Sequence, residues 1–204
     1  MPAAVASPSL TSERLAAWIF RAEVGVTLLC ILLFSNALIG PVFAPQTADL
    51  ASAEENSAIL RLVWPPVYAM TLLLTGFRIT RLLRVVPALF MTGLLVGLCF
   101  ASHFWSIDPA TTIRRTIAVA MTTIFGLYLG ARWKGADLVQ IIALAFALLT
   151  FGSYVVCIFV PSLGVHNDIN AGDWKGLWYE KNQMAAIMTL GFIASCASAY
   201  IAPE

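Results

Sequence analysis

The sequence predicts an all-α, polytopic transmembrane helix bundle of about six spans, and three observations carry that expectation. Hydrophobic residues make up 60% of the 204 residues and charged residues 11%, against about 45–50% and about 25% in a soluble domain. Mean hydropathy is +0.85. The few charges gather in short intervals between long uncharged runs. At about 20 apolar residues per helical span, the length holds six spans and little else. This composition excludes a soluble globular enzyme and a disordered chain. It excludes a nucleic-acid partner too, because 12 Lys+Arg against 11 Asp+Glu leave no basic excess to hold phosphate backbones.

The uncharged runs cover 24–48, 62–77, 85–107, 116–131, 138–167 and 182–203. Trimmed at turn residues, they predict helices near 18–40, 58–77, 86–104, 113–131, 138–160 and 183–201. Membrane strands need only about 9–11 residues and alternate polar with apolar; these runs are longer and do not alternate. Residues 1–17, small and polar with no signal-peptide pattern, form a segment before the membrane domain of 18–204. All six tryptophans (Trp18, Trp64, Trp105, Trp133, Trp174, Trp178) fall near span ends or in loops, as in an interfacial aromatic belt.

Loop cations set the expected orientation. Arg14, Arg21, Arg78, Arg81, Arg84, Arg132 and Lys134 fall on one side, and Arg61, Arg114, Arg115, Lys175 and Lys181 on the other. Seven against five places the first group, and with it the N-terminus, in the cytoplasm.

Arg114 and Arg115 then work against the insertion bias. Their span has an uncharged run of only 16 residues, 116–131. That covers about 24 Å of a hydrocarbon core of about 30 Å, so the pair lies at or inside the lipid boundary. Arg61 caps an equally short run. Planar, always-charged guanidiniums meeting at one depth suit a lipid-linked phosphate or diphosphate. A single arginine at a span end is explained by reaching for lipid phosphates, and Asp108 could neutralise one of them. For the pair, on the side opposite the bias, both readings stand: reaching for lipid phosphates, or holding a phosphate of the substrate.

Pro65-Pro66 lies in the second span, where it either kinks the helix and opens a cavity near Arg61 or is accommodated near the helix start. The 161–182 segment is the longest polar stretch. Its Trp174, Trp178 and Tyr179 suit a sugar ring or the lipid interface. His166, near Asp168, reads as a solvated loop histidine, with a general-base role as the alternative. Lys181-Asn182 opens the last span. Cys30, Cys99, Cys157 and Cys196 sit in separate apolar runs with no ligand spacing, so they read as buried packing residues, and no metal site is expected.

Two segments together resemble a known family. The first is Phe104-Trp105-Ser106-Ile107-Asp108-Pro109 with Thr112-Ile113-Arg114-Arg115. The second is Gly172-Asp173-Trp174-Lys175-Gly176-Leu177 with Lys181-Asn182. In this order they resemble the O-antigen ligase and O-antigen polymerase family, with exopolysaccharide-production polymerases the nearest branch, over roughly residues 95–190. The resemblance implies part of a GT-C-like membrane glycosyltransferase fold in a bacterial inner membrane. It implies a polyprenyl-diphosphate-linked glycan as partner, alongside membrane lipid and polysaccharide-assembly proteins. It also implies transfer or polymerisation on the periplasmic face, with no cofactor. Arg114, Arg115 and Arg61 would hold the diphosphate. Trp105, Asp108, Trp174, Lys175, Lys181 and Asn182 would be glycan or motif contacts, and the catalytic residues are not identified. Glu180 stands where these polymerases commonly have His. Family members are usually much longer, so the chain is expected to be an N-terminal half and catalytically incomplete. The alternatives are a non-catalytic subunit of an export system or a transporter or flippase segment. Transport usually needs ionisable groups near mid-membrane, and the predicted spans carry none at their centres.

Overall fold

The computed structural model describes residues 10–37, 58–83, 86–167 and 170–201, the side chains of 10–12, 58–61 and 86–88 excepted. Among the described residues the regular structure is helical and there is no strand, with one isolated bridge between Val165 and Trp174. The helices are α1 (Leu10–Phe34), α2 (Ala58–Gly76), the single turn α3 (Ile79–Leu82) and α4 (Val86–Ala101). A 3-10 turn (Ser102–Trp105) leads to α5 (Pro109–Arg132). Then follow α6 (Ala136–Phe159), the single turn α7 (Pro161–Gly164) and α8 (Lys181–Ile201).

Among the described residues, three helices are long and apolar enough to cross a membrane: Glu13–Phe34, Ala136–Phe159 and Lys181–Ile201. Leu62–Gly76 and Leu89–Trp105 are apolar but shorter. α5 is long enough, at 24 residues, but carries Arg114, Arg115 and Arg132. The helices therefore fall in the segments expected, while length and hydropathy support three spans.

Burial is arranged as in a membrane protein. The outward faces are apolar: Phe90, Met91, Leu94, Leu95 and Leu98 on α4, Phe151 on α6 and Phe192 and Ile193 on α8 are all exposed. A surface so continuously apolar is not compatible with water. The interior, by contrast, holds hydroxyls. Thr27, Thr71 and Ser153 have no exposed surface, and each donates to the carbonyl four residues before it, at 2.7–2.9 Å. A hydroxyl so satisfied within its own helix can enter an apolar layer without an orphaned donor.

Three details differ from the expectation. α1 begins at Leu10 and ends at Phe34, not near 18 and 40, which moves Glu23 to the middle of a helix. Pro65 and Pro66 lie inside α2 rather than at its start, so the carbonyls of Arg61 and Leu62 lose their partners four residues on. Cys196 is exposed, while Cys30 and Cys157 are buried.

α6 packs along α8, α2 and α4 pack on α5, and α1 touches both groups. Phe34 fixes α1 on α2 and α5, with its ring 5.1 Å from that of Phe125 and 5.9 Å from that of Trp64. The chain runs back and forth, so the bundle has two ends. One carries the turns before α5 and after α6. The other carries the ends of α2 and α5.

Candidate functional site

The expected site residues lie in two structured turns at the first end. Asp108 is the N-cap of α5. Its carboxylate accepts from the Thr111 N–H at 3.2 Å and from the Thr111 hydroxyl at 2.6 Å, with Pro109 at the first helical position. That combination is a strong helix start. The Thr111 bonds hold the Asp108 carboxyl below its ordinary value of 3.8. Ser106 bonds to Thr112 across the turn. The cap thus fixes the first turns of α5, which carry Arg114 and Arg115, both exposed. Arg114 donates to the Thr111 hydroxyl at 2.8 Å, so Asp108, Thr111 and Arg114 form one chain of hydrogen bonds. Arg61 lies in the first turns of α2, and its side chain lies outside the described residues. Trp105 is exposed beside the cap, as are Phe104 and Ile107.

The second turn is more tightly built. The described parts of this connection, 160–167 and 170–181, fold back against the helices, with 175–178 buried. The His166 N–H donates to Asp173 O at 2.9 Å, and the Lys175 and Gly176 N–H groups both donate to Gly164 O, at 2.8 and 3.0 Å. Gly176 has φ +62° and lies against Ser153, six residues inside α6; a Cβ there would come within 2.8 Å of the Ser153 side chain. Gly164 lies so close to Cys157 that a Cβ would meet its backbone at 2.7 Å. Only glycine permits these approaches. Leu177 and Trp178 follow and enter a core with Ala37, Leu149 and Met184. The Trp178 indole N–H donates to Ser35 O at 2.8 Å, which satisfies the donor that burial would orphan.

This geometry assigns the second-motif residues separate fates. Lys175 is buried, at 8% exposed. Lys181 is accessible and pairs with Asp173 at 2.6 Å and with Asn170 at 3.1 Å. The Lys181 hydrogen bond, then its charge, holds the Asp173 carboxyl below its ordinary value. Asn182 is exposed at the start of α8. Trp174 is half-exposed, edge-on to Tyr154 at 5.7 Å. Trp178, expected to stack on a sugar or lie in the lipid interface, is instead a core residue, because the glycine approaches draw the chain inward. The same folding-back buries His166, which the sequence suggested was solvated; Asp168 lies outside the described residues. Trp133 is likewise buried, so two of the six tryptophans leave the aromatic belt.

The opposite end holds a cluster that sequence reading missed. Glu23 Oε1 accepts from Arg78 Nη2 at 3.0 Å and Arg132 Nε at 2.8 Å, and from the Tyr128 hydroxyl at 3.4 Å. Tyr128, fully buried, also bonds to Thr27 at 2.9 Å. The three charged residues come from positions 55 and 109 residues apart from Glu23, so no local spacing reveals them. The available signal was a carboxylate inside the first expected span, near 18–40, where a charge needs a partner.

Compared with family models, curated proteins and solved structures, the chain matches none.

Proposed function

We propose that the protein acts as an O-antigen ligase- or polymerase-like component of a bacterial inner membrane, handling polyprenyl-diphosphate-linked glycan at the periplasmic face. In this reading all six apolar or long helices cross the bilayer, the N-terminus is cytoplasmic, and the capped start of α5 faces outward. The observation that carries it is the capped turn itself. Asp108, Thr111 and Ser106 hold the α5 start in a fixed geometry and leave the adjacent guanidiniums of Arg114 and Arg115 exposed at its first turns. A diphosphate leaving group in low dielectric needs fixed cationic donors. The W-S-x-D-P resemblance assigns these two arginines that task. The Lys181–Asp173 pair and the exposed faces of Trp105 and Trp174 lie at the same end, where a glycan would extend.

Transport is the weaker reading. Glu23 does lie within an apolar helix, against the sequence expectation, but it is fixed by two guanidiniums near the ends of α2 and α5. A coupling carboxylate has to change partners during a cycle.

The test is Arg114→Gln and Arg115→Gln, singly and together, expressed in cells lacking the native gene. Surface-glycan chain length and the amount of protein in the membrane are read in parallel. Loss of long chains at unchanged abundance, by tenfold or more in the double variant, is expected. Unchanged chain length at unchanged abundance overturns the reading.

A further inference from the structure

Two guanidiniums hydrogen-bond to one carboxylate, the exposed Asp137 acts on Arg132 only through space, and the site is only partly open: the side chains of Arg78, Arg132 and Glu23 are 28%, 19% and 14% exposed. A guanidinium has five N–H donors. Arg78 reaches Glu23 through Nη2, at 3.0 and 3.4 Å to the two carboxylate oxygens. Its Nε is shielded from solvent and has no hydrogen-bond partner among the described residues. Two guanidiniums sharing a single hydrogen-bonded carboxylate, beside an apolar exterior, suit an anion.

The surroundings say which anion. Arg132 is held flat, 4.1 Å over the Trp133 ring and 5.6 Å from the Phe20 ring, so its fork is oriented rather than mobile. The cluster lies where α2 gives way to Arg78 and where α5 ends at Arg132. Arg21, Arg81 and Lys134 are exposed at this end. The α1 turns just before Glu23 carry Leu15, Trp18 and Ile19, all more than half exposed. Their neighbours Arg14 and Arg21 flank this apolar face. An apolar stripe with a tryptophan beside exposed cations matches the boundary between acyl chains and headgroups.

We propose that Arg78 and Arg132 together hold the phosphate of an anionic phospholipid headgroup, with Glu23 setting their spacing. This rests on the membrane character of the fold and not on the glycan reading, and its readout differs from chain length, so the two fail separately. The phosphate gives the two guanidiniums a second hydrogen-bonded anion beside Glu23, and the acyl chains lie along the exposed face of α1.

The test uses the full chain in neutral-lipid nanodiscs, with thermal unfolding followed as phosphatidylglycerol replaces part of the phosphatidylcholine. Phosphatidylglycerol is expected to raise the midpoint by a few degrees, with the shift lost in Arg78→Gln and kept in Arg81→Gln. Glu23→Gln supplies the second arm, and it serves even where Arg78→Gln does not fold. It melts lower than wild type in phosphatidylcholine and recovers in phosphatidylglycerol, because the lipid phosphate replaces the lost carboxylate. A merely structural cluster loses the same stability in both lipids, and that result overturns the proposal. So does full retention of the lipid-dependent shift in Arg78→Gln. Inorganic phosphate matching phosphatidylglycerol overturns it as well, since the site then reads a free anion.

Discussion

The two ends of the bundle are held by different physics. At the turn end, cohesion comes from backbone hydrogen bonds and close fit: Gly164 accepts two N–H groups, Gly176 lies against Ser153, and Trp178 fills the space between α1, α6 and α8. At the other end, one carboxylate ties α1 to the end of α5 and the segment after α2 through two arginines. Close fit tolerates almost no substitution but is indifferent to salt and lipid charge. The ion cluster tolerates shape change but depends on what surrounds it. A membrane protein can use the second device only where partners or headgroups are within reach.

The largest expected effect breaks the turn end. Trp178→Ala removes a ring that is 2% exposed together with its bond to Ser35. The expected cost is about 3–5 kcal/mol of stability, seen as a lower unfolding midpoint, with faster proteolysis between residues 161 and 180. A melting curve and digestion pattern like those of wild type would mean the turn is held by its backbone alone. The lipid dependence of the Glu23 end should survive in this variant, which separates the two devices.

A smaller effect is expected from Asp108→Ala, which removes the α5 cap while leaving the turn after α6 intact. The midpoint should fall less than in Trp178→Ala, and Asp108→Asn should restore most of it, because an amide oxygen still accepts from Thr111. Equal losses in the two variants would show that charge, not capping, matters at this position.

The smallest is a pH effect at the turn end. The carboxyls of Asp108 and Asp173 are held below their ordinary value of 3.8 by hydrogen bonds that favour the charged form. Their stabilising contribution is therefore present above that value and lost as pH falls through their lower folded values. Both are exposed, so the change is small. An unfolding midpoint followed from pH 6 to pH 3 should decline in wild type and decline less in an Asp108→Asn, Asp173→Asn double variant. Parallel declines would assign the acid sensitivity elsewhere.

Legibility followed the range of the interaction. Composition and the uncharged runs determine an all-helical chain with membrane-length segments, because both rest on local hydropathy. The cap is also a local signal, Asp108-Pro109 with Thr111 within four residues, but Asp108 was read only as a charge beside the arginines. The inward fold of the second motif was not, although its glycines were visible. A glycine marks a turn or a close approach but does not name what approaches, so Trp178 and Lys175 read as outward residues. Glu23 fell inside the first expected helix, near 18–40, but its partners, 55 and 109 residues away, were not legible.

What the sequence by itself determined is the material: apolar helices, their approximate limits, and where charge is scarce enough to need an explanation. Only the tertiary structure decided which charges meet, which tryptophans are core and which turn folds inward. Hydropathy is a sum over neighbours along the chain. A shared carboxylate oxygen, by contrast, depends on three helices arriving at one point, and no local sum contains that information.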